Sequence, residues 1–278
     1  MASVGAPDLP GVAARNRHDW ISVFGRVGLV AKGVSYALVG FLALEVALGK
    51  GGRATSRQGA LTTIAGHSWG KVLLVTLAIG FAAYALWRLA ETIWPSGDDR
   101  FLKRTAKRIG TLARAAIYAG LTYSALKIAF GSGGQESQNA KAHQATAQVL
   151  SWDNGKWIVG VAGGALVAAG LYNAYRGLAR KFTKHWDTAR MSATARRWGE
   201  RIGLVGLVAR AIVFGLVGAF MTKAAIEYDP REAIGLDGAL QKLARADYGP
   251  YLLGLTAVGL IAYGVYCLVD ARYRDVSA

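Results

Sequence analysis

Two stretches of this chain, Trp157 to Tyr175 and Tyr248 to Val269, contain no charged residue at all. A run of that length and apolarity is what an α-helix needs to cross ~30 Å of hydrocarbon at 1.5 Å per residue. Water-soluble chains instead spread apolar residues at helical or strand period around a core. Four further blocks share the pattern, so six membrane-spanning helices are expected: Val27–Leu48, Gly70–Ile93, Ile109–Phe130, Gly155–Leu178, Val205–Ile226 and Gly249–Ala271, each of 22 to 24 residues. Backbone groups left unpaired in lipid are too costly for any open alternative, which makes the expected class all-α and polytopic. The composition agrees: 53% of residues are hydrophobic, 18% are charged, and the 36 glycines suit membrane helices. Pro250 alone among the prolines falls inside a block, in a first turn where proline is tolerated.

The blocks repeat. VGLVAKGVSYALVG at Val27 to Gly40 returns as VGLVARAIVFGLVG at Val205 to Gly218, with a weaker copy, IGTLARAAIYAGLT, at Ile109 to Thr122. Aligning Gly28, Gly110 and Gly206 puts Lys32, Arg114 and Arg210 in register, then Tyr36, Tyr118 and Phe214. In the second helix of each unit Gly70, Gly155 and Gly249 mark the start, with Trp87, Tyr172 and Tyr266 seventeen residues on. The expected organisation is three tandem two-helix hairpins in a pseudo-threefold arrangement. A cytoplasmic segment (1–23) precedes the first repeat (24–94) and the second (95–180); a basic cytoplasmic linker (181–204) leads into the third (205–278).

The net charge of +16 would ordinarily suggest nucleic acid. Position argues otherwise: 19 of the 33 Lys and Arg flank or separate the hairpins, against nine in the loops within them. The positive-inside rule then puts both termini and both inter-hairpin loops in the cytoplasm. The basic charge belongs to a membrane surface, and nucleic acid is not an expected partner. Trp69, Trp152, Trp157, Tyr248 and Tyr251 gather at the outer boundary, and Trp94, Trp186 and Trp198 at the inner one, as an aromatic belt would.

Lys32, Arg114 and Arg210 are expected about a turn or so inside the cytoplasmic boundary, with Glu45, Lys127 and Lys223 thirteen residues further along. Three uses are open to the repeated cation. Its long side chain can snorkel to the headgroups; it can pair with a carboxylate, Glu91 and Asp270 being candidates; or the three can form a ring that holds an anionic lipid headgroup or another anion. No span is expected to carry an acid, histidine or paired charge near its midpoint, which weakens a translocation path.

Small residues at four-residue spacing recur in the odd helices, as Gly33 and Ala37, Ala115 and Ala119, Ala211 and Gly215. The fourth helix carries a GxxxG at Gly160 and Gly164. These are the expected helix-packing positions, because small side chains let backbones approach closely in lipid. Catalytic chemistry is not visible. The glycine phrases GKGG (Gly49 to Gly52) and GSGG (Gly131 to Gly134) lack the context of a nucleotide loop. His18, His67, His143 and His185 all fall outside the spans, and Cys267 is the single cysteine, so no metal, cofactor, disulfide or catalytic constellation is expected.

The same motifs carry a resemblance. VGLVAKGVSYALVG, GKGG, the Gly-Ala-Leu phrase at Gly59 to Leu61, LAIGFAAYALWR at Leu77 to Arg88 and the closing AYGVYCLVDARYRD resemble the bacterial membrane family catalogued as domain of unknown function 1206. The likeness runs from about Phe24 to Asp275, and the middle copy departs most, lacking the Gly-Ala-Leu phrase and the Trp-Arg pair. It implies three tandem two-helix repeats in a bacterial membrane and no particular activity. The expected function is a non-enzymatic accessory or scaffold subunit that binds lipid, anionic lipid included, or partner membrane helices. A small channel or transporter built from the six-helix bundle is the alternative.

Overall fold

A computed structural model of the chain describes residues 10–49, 70–93, 101–130 and 138–274, without the side chains of 10–22, 91, 101–104, 106, 107, 138, 139, 141 and 237. The first Gly-Ala-Leu phrase, GKGG beyond Gly49, GSGG, Trp69, Trp94, His67 and the Glu91 side chain lie outside that description. The described residues form eight α-helices: α1 (Pro10–Ala47), α2 (Gly70–Ile93), α3 (Phe101–Ala129), α4 (Gln138–Leu150), α5 (Gly155–Leu178), α6 (Ala193–Ile226), α7 (Leu236–Ala244) and α8 (Gly249–Tyr273). No strand occurs among them.

Three helices start well before their apolar blocks. α1 begins at Pro10, α3 at Phe101 and α6 at Ala193, because helix-forming basic and alanine-rich sequence precedes each block and nothing there breaks it. α6 has a defined stop on its N-terminal side: the Ser192 hydroxyl accepts the Ala195 N–H at 3.2 Å. The extensions place the cations well inside continuous helices. The apolar part of α1 runs Val23–Ala47, so Lys32 is three residues, ~4.5 Å, from its middle. Arg210 likewise lies midway along the 34-residue α6.

Five helices are long and apolar enough to cross a membrane: Val23–Ala47 of α1, Gly70–Ala90 of α2, and α5, α6 and α8. With 29 residues, α3 is long enough, but Thr111, Tyr118, Thr122, Tyr123, Ser124, Arg114 and Lys127 dilute its apolar character.

The long helices pack in the order α3–α2–α1–α8–α6–α5. The strongest pairings are α5 with α6, α1 with α8, and α2 with α3. Each joins the second helix of one repeat to the first helix of another. Backbone proximity makes these seams. A Cβ on Gly33 would lie 2.8 Å from the Gly264 carbonyl oxygen, and one on Gly264 would lie 2.7 Å from that of Gly33. At the equivalent place between α5 and α6, a Cβ on Gly170 would lie 2.9 Å from the Ala211 carbonyl oxygen. Close carbonyl and Cα approaches of this kind are the membrane substitute for a hydrophobic driving force.

Within repeats the pairing is uneven. α1 packs on α2 and α6 on α8, whereas α3 and α5, the two long helices of the middle repeat, do not pack against each other. The residues explain why. Gly28 fits under Tyr84, and Gly206 under Tyr263. Gly80 faces Ala31 and Gly259 faces Ala209 so closely that a Cβ would collide. The middle repeat has Ala169 in place of the tyrosine and Ala165 in place of the second glycine, and Gly110 has nothing within 4 Å. The row of helices therefore has two free ends, α3 and α5.

The loops inside the second and third hairpins contain the short helices α4 and α7. Each runs into the glycine that opens the next long helix. A Cβ on Gly155 would collide with the Val149 carbonyl oxygen, and one on Gly249 with that of Ala244. This is why those glycines stand in register. On the same side Tyr228 donates to the Leu150 carbonyl oxygen at 2.5 Å, and Lys223 pairs with Glu232 at 3.1 Å.

Candidate functional site

Helical register places one cation and one tyrosine from different helices at the same level. Lys32 on α1 is 9% exposed. Its ammonium stands 5.3 Å from the ring centre of Tyr263 on α8 and 5.7 Å from that of Tyr84 on α2. Arg210 on α6 donates from Nη1 to the Tyr263 hydroxyl at 2.8 Å. Its guanidinium lies 5.1 Å from the same ring, 4.6 Å from Phe214 and 5.8 Å from Tyr36. Tyr36 and Tyr263 meet edge to face with ring centres 4.7 Å apart. Two cations thus share one tyrosine.

Charge at this depth is the unusual part. A cation at the centre of a helical span costs ~2.5–3.5 kcal/mol on insertion scales, and cation–π contacts with desolvated rings return ~2 kcal/mol. Among the described residues no carboxylate forms an ion pair with Lys32 or Arg210. The Arg210 Nε is shielded from solvent and has no hydrogen-bond partner.

The third repeat cation, Arg114, is exposed on α3, in electrostatic range of Tyr84. The structure therefore brings Lys32 and Arg210 onto one ring and leaves Arg114 off it. Asp270 does not serve as their counter-ion. It is buried at the end of α8, accepting from Trp186 Nε1 at 3.1 Å and Arg274 Nη1 at 3.0 Å. Trp186 is accordingly no belt residue: it packs with Phe182 and Tyr266 under the bundle, while the Asp187 N–H donates to the Tyr273 carbonyl oxygen at 2.8 Å. Sequence reading missed this dock because its partners are 84 residues apart. It also missed Arg88, which is buried and donates to the Tyr84 hydroxyl at 2.8 Å. The Trp-Arg pair was its signal: the guanidinium lies 4.2 Å from the Trp87 ring.

Of the expected packing positions, Gly33 and Ala37 face Gly264, and Gly170 of α5 approaches Ala211 and Gly215. Ala115 is buried and Ala119 exposed. Gly160 comes no closer than ordinary contact with Ala225, and Gly164 meets nothing within 4 Å. The close approaches of α5 are made instead by Gly163, Gly170 and Gly177, seven residues apart, the spacing of a left-handed seam. The aromatic residues Trp152, Trp157, Tyr248 and Tyr251 are exposed at or just before the starts of α5 and α8.

No solved structure matches the chain. It is 33% identical over 261 residues to "Uncharacterized protein YxxB" of Bacillus subtilis (strain 168), which covers 93% of this chain and 93% of that protein. The family model described as Domain of Unknown Function (DUF1206) matches three times, at residues 27–94, 109–180 and 205–274. The three matches are tandem copies of one unit, and the chain belongs to the DUF1206 family.

Proposed function

We propose that the chain is an integral protein of a bacterial cytoplasmic membrane that crosses it six times, both termini cytoplasmic, and serves as a non-enzymatic accessory or scaffold subunit. α3 is the sixth span in this reading, with Thr111 and Tyr118 turned toward α2 and the bundle. Thr111, Tyr118 and Ala125 are buried on that face, and Thr92 of α2 donates to Thr111 at 3.0 Å. The three equivalent seams, α2 with α3, α5 with α6 and α8 with α1, follow a threefold scheme left open where α3 would meet α5.

One observation carries the scaffold reading. The central seam between α1 and α8 is closed by backbone against backbone at Gly33 and Gly264, which is how a rigid bundle is built. The outer faces of α3 and α5, with Ile109, Ile117, Tyr123, Trp157, Val161, Leu171 and Leu178 exposed, supply apolar surface to lipid or to partner helices. The test is affinity purification of the full chain in a mild uncharged detergent, followed by mass spectrometry of co-purifying proteins and lipids. Stoichiometric membrane-protein partners or retained lipid are expected. A bare monomer after gentle extraction would defeat the reading.

A channel or transporter is the second reading, favoured by the depth of Lys32 and Arg210 in their helices, where transporters place functional charge. Reconstituted vesicles that leak small anions only when the chain is present would move the assignment to it.

A further inference from the structure

We propose that Lys32, Arg210 and the Tyr263 hydroxyl form a binding site for a phosphate-type oxyanion inside the bundle. The inference rests on the reading of the chain as a membrane bundle, and deepens it by naming a ligand class.

Charge is the first ground. Arginine stays protonated in proteins, so Arg210 is a permanent charge, and Lys32 stands over the same Tyr263 ring. Among the described residues neither has a carboxylate partner, and Asp270 is already held by Trp186 and Arg274. Lys32 is buried and Arg210 half-buried around one ring, and two like charges so placed favour an anion that both can reach.

Unused donors are the second. The Arg210 Nε–H is buried without an acceptor. The Lys32 ammonium, with three protons, faces the rings of Tyr84 and Tyr263. A spherical halide would satisfy one or two such donors. A phosphate group presents several acceptor oxygens at once and matches a guanidinium and an ammonium together.

Access is the third. Arg210 is only half-buried, so its side chain is open to its surroundings on one side. A phosphate can reach the pair there from the membrane as a lipid headgroup, or from water as the free ion.

The experiment uses the full chain in an uncharged detergent and phosphate-free buffer. Thermal unfolding and native mass spectrometry follow titration with phosphatidylglycerol and, separately, with inorganic phosphate; phosphatidylcholine is the control. Wild type should show a saturable rise in Tm with at least one phosphate source beyond any response to phosphatidylcholine. Response to phosphatidylglycerol alone identifies the lipid headgroup, and response to inorganic phosphate identifies the free group as sufficient. Lys32→Met and Arg210→Gln should each weaken binding at least about tenfold. Lys32→Arg and the exposed control Lys223→Gln should retain it. Without phosphate, Lys32→Met should unfold at a higher temperature than wild type, since it relieves the like-charge pair; a lysine that only packs would give the reverse. No response to either source, or equal affinity in Lys32→Met, Arg210→Gln and wild type, overturns the site. Failure of the membrane reading would show separately, as chain recovered in the aqueous fraction without detergent.

Discussion

A Cβ on Gly28 would fall 2.5 Å from the Cβ of Tyr84, so α1 and α2 touch with only hydrogen between them. The third repeat does the same with Gly206, where a Cβ would fall 2.5 Å from the Tyr263 Cα. The two tyrosines thus have two jobs. Each closes its own hairpin over a glycine, and each offers a ring to Lys32. Packing and charge burial are coupled through the same side chains.

Substituting these glycines should have opposite effects in different repeats. Gly28→Ala and Gly206→Ala each force helices apart and should cost about 1–3 kcal/mol. In a chain of this length that lowers Tm by about 2–4 °C per kcal/mol. Gly110→Ala meets nothing within 4 Å and should be neutral or stabilising by up to about 1 kcal/mol, because alanine is the better helix former. Thermal unfolding of the three variants in one detergent checks this, and a common sign for all three would refute the hairpin asymmetry.

The glycines at the starts of α5 and α8 should be less tolerant still. Gly155→Ala and Gly249→Ala set a methyl against the carbonyl oxygens of Val149 and Ala244, backbone atoms that cannot rotate away. Either α4 or α7 must lift from the helix that follows it. Each variant should lose at least about 3 kcal/mol and become sensitive to limited proteolysis at the lifted helix. Wild-type Tm and digestion pattern in both variants would show that the short helices do not need this contact.

Much of this architecture was legible in the chain itself, and the illegible part has a common cause. Repeat register exposed Gly28, Gly110 and Gly206, and with them the three repeats, because local spacing is a property of one helix. Helix ends were misjudged at α1, α3 and α6, since basic residues that stop an apolar block do not stop a helix. Which helix neighbours which across repeats depends on pairs such as Gly33 with Gly264, far apart in sequence. The shared Tyr263 is such a pairing too: register shows that Lys32 and Arg210 are equivalent, but not that both meet one ring. Trp186 misled for the same reason, since a tryptophan among lysines reads as interfacial until Asp270 is seen beside it.

That Asp270 contact should control the order of the linker between α5 and α6. Asp270 is buried and ties the linker, through Trp186, to the end of the last helix. Asp270→Asn weakens two hydrogen bonds to a charged acceptor, and Trp186→Phe removes one. The expected loss is about 1–3 kcal/mol for each. Trypsin should then cut at Lys181, Lys184 or Arg190 sooner in both variants than in wild type. Unchanged cleavage would mean that Phe182, fully buried beside Tyr266, holds the linker alone.

Whether α3 crosses the bilayer can be decided by labelling on its two sides. Cys267 is the single cysteine and is buried, so Cys267→Ala leaves a thiol-free background at small cost in volume. Thr105→Cys lies near the start of α3, and Gln144→Cys lies on α4, beyond its far end; both positions are exposed. With six spans, a membrane-impermeant thiol reagent added to intact cells should modify Gln144→Cys and leave Thr105→Cys unmodified until the cells are opened. Arg190→Cys, ahead of α6, should behave like Thr105→Cys, because α5 carries the chain back across. If Thr105→Cys and Gln144→Cys label alike, α3 stays on one side. The repeat would then lose its matched topology, and the polar residues on α3 would have overridden its length.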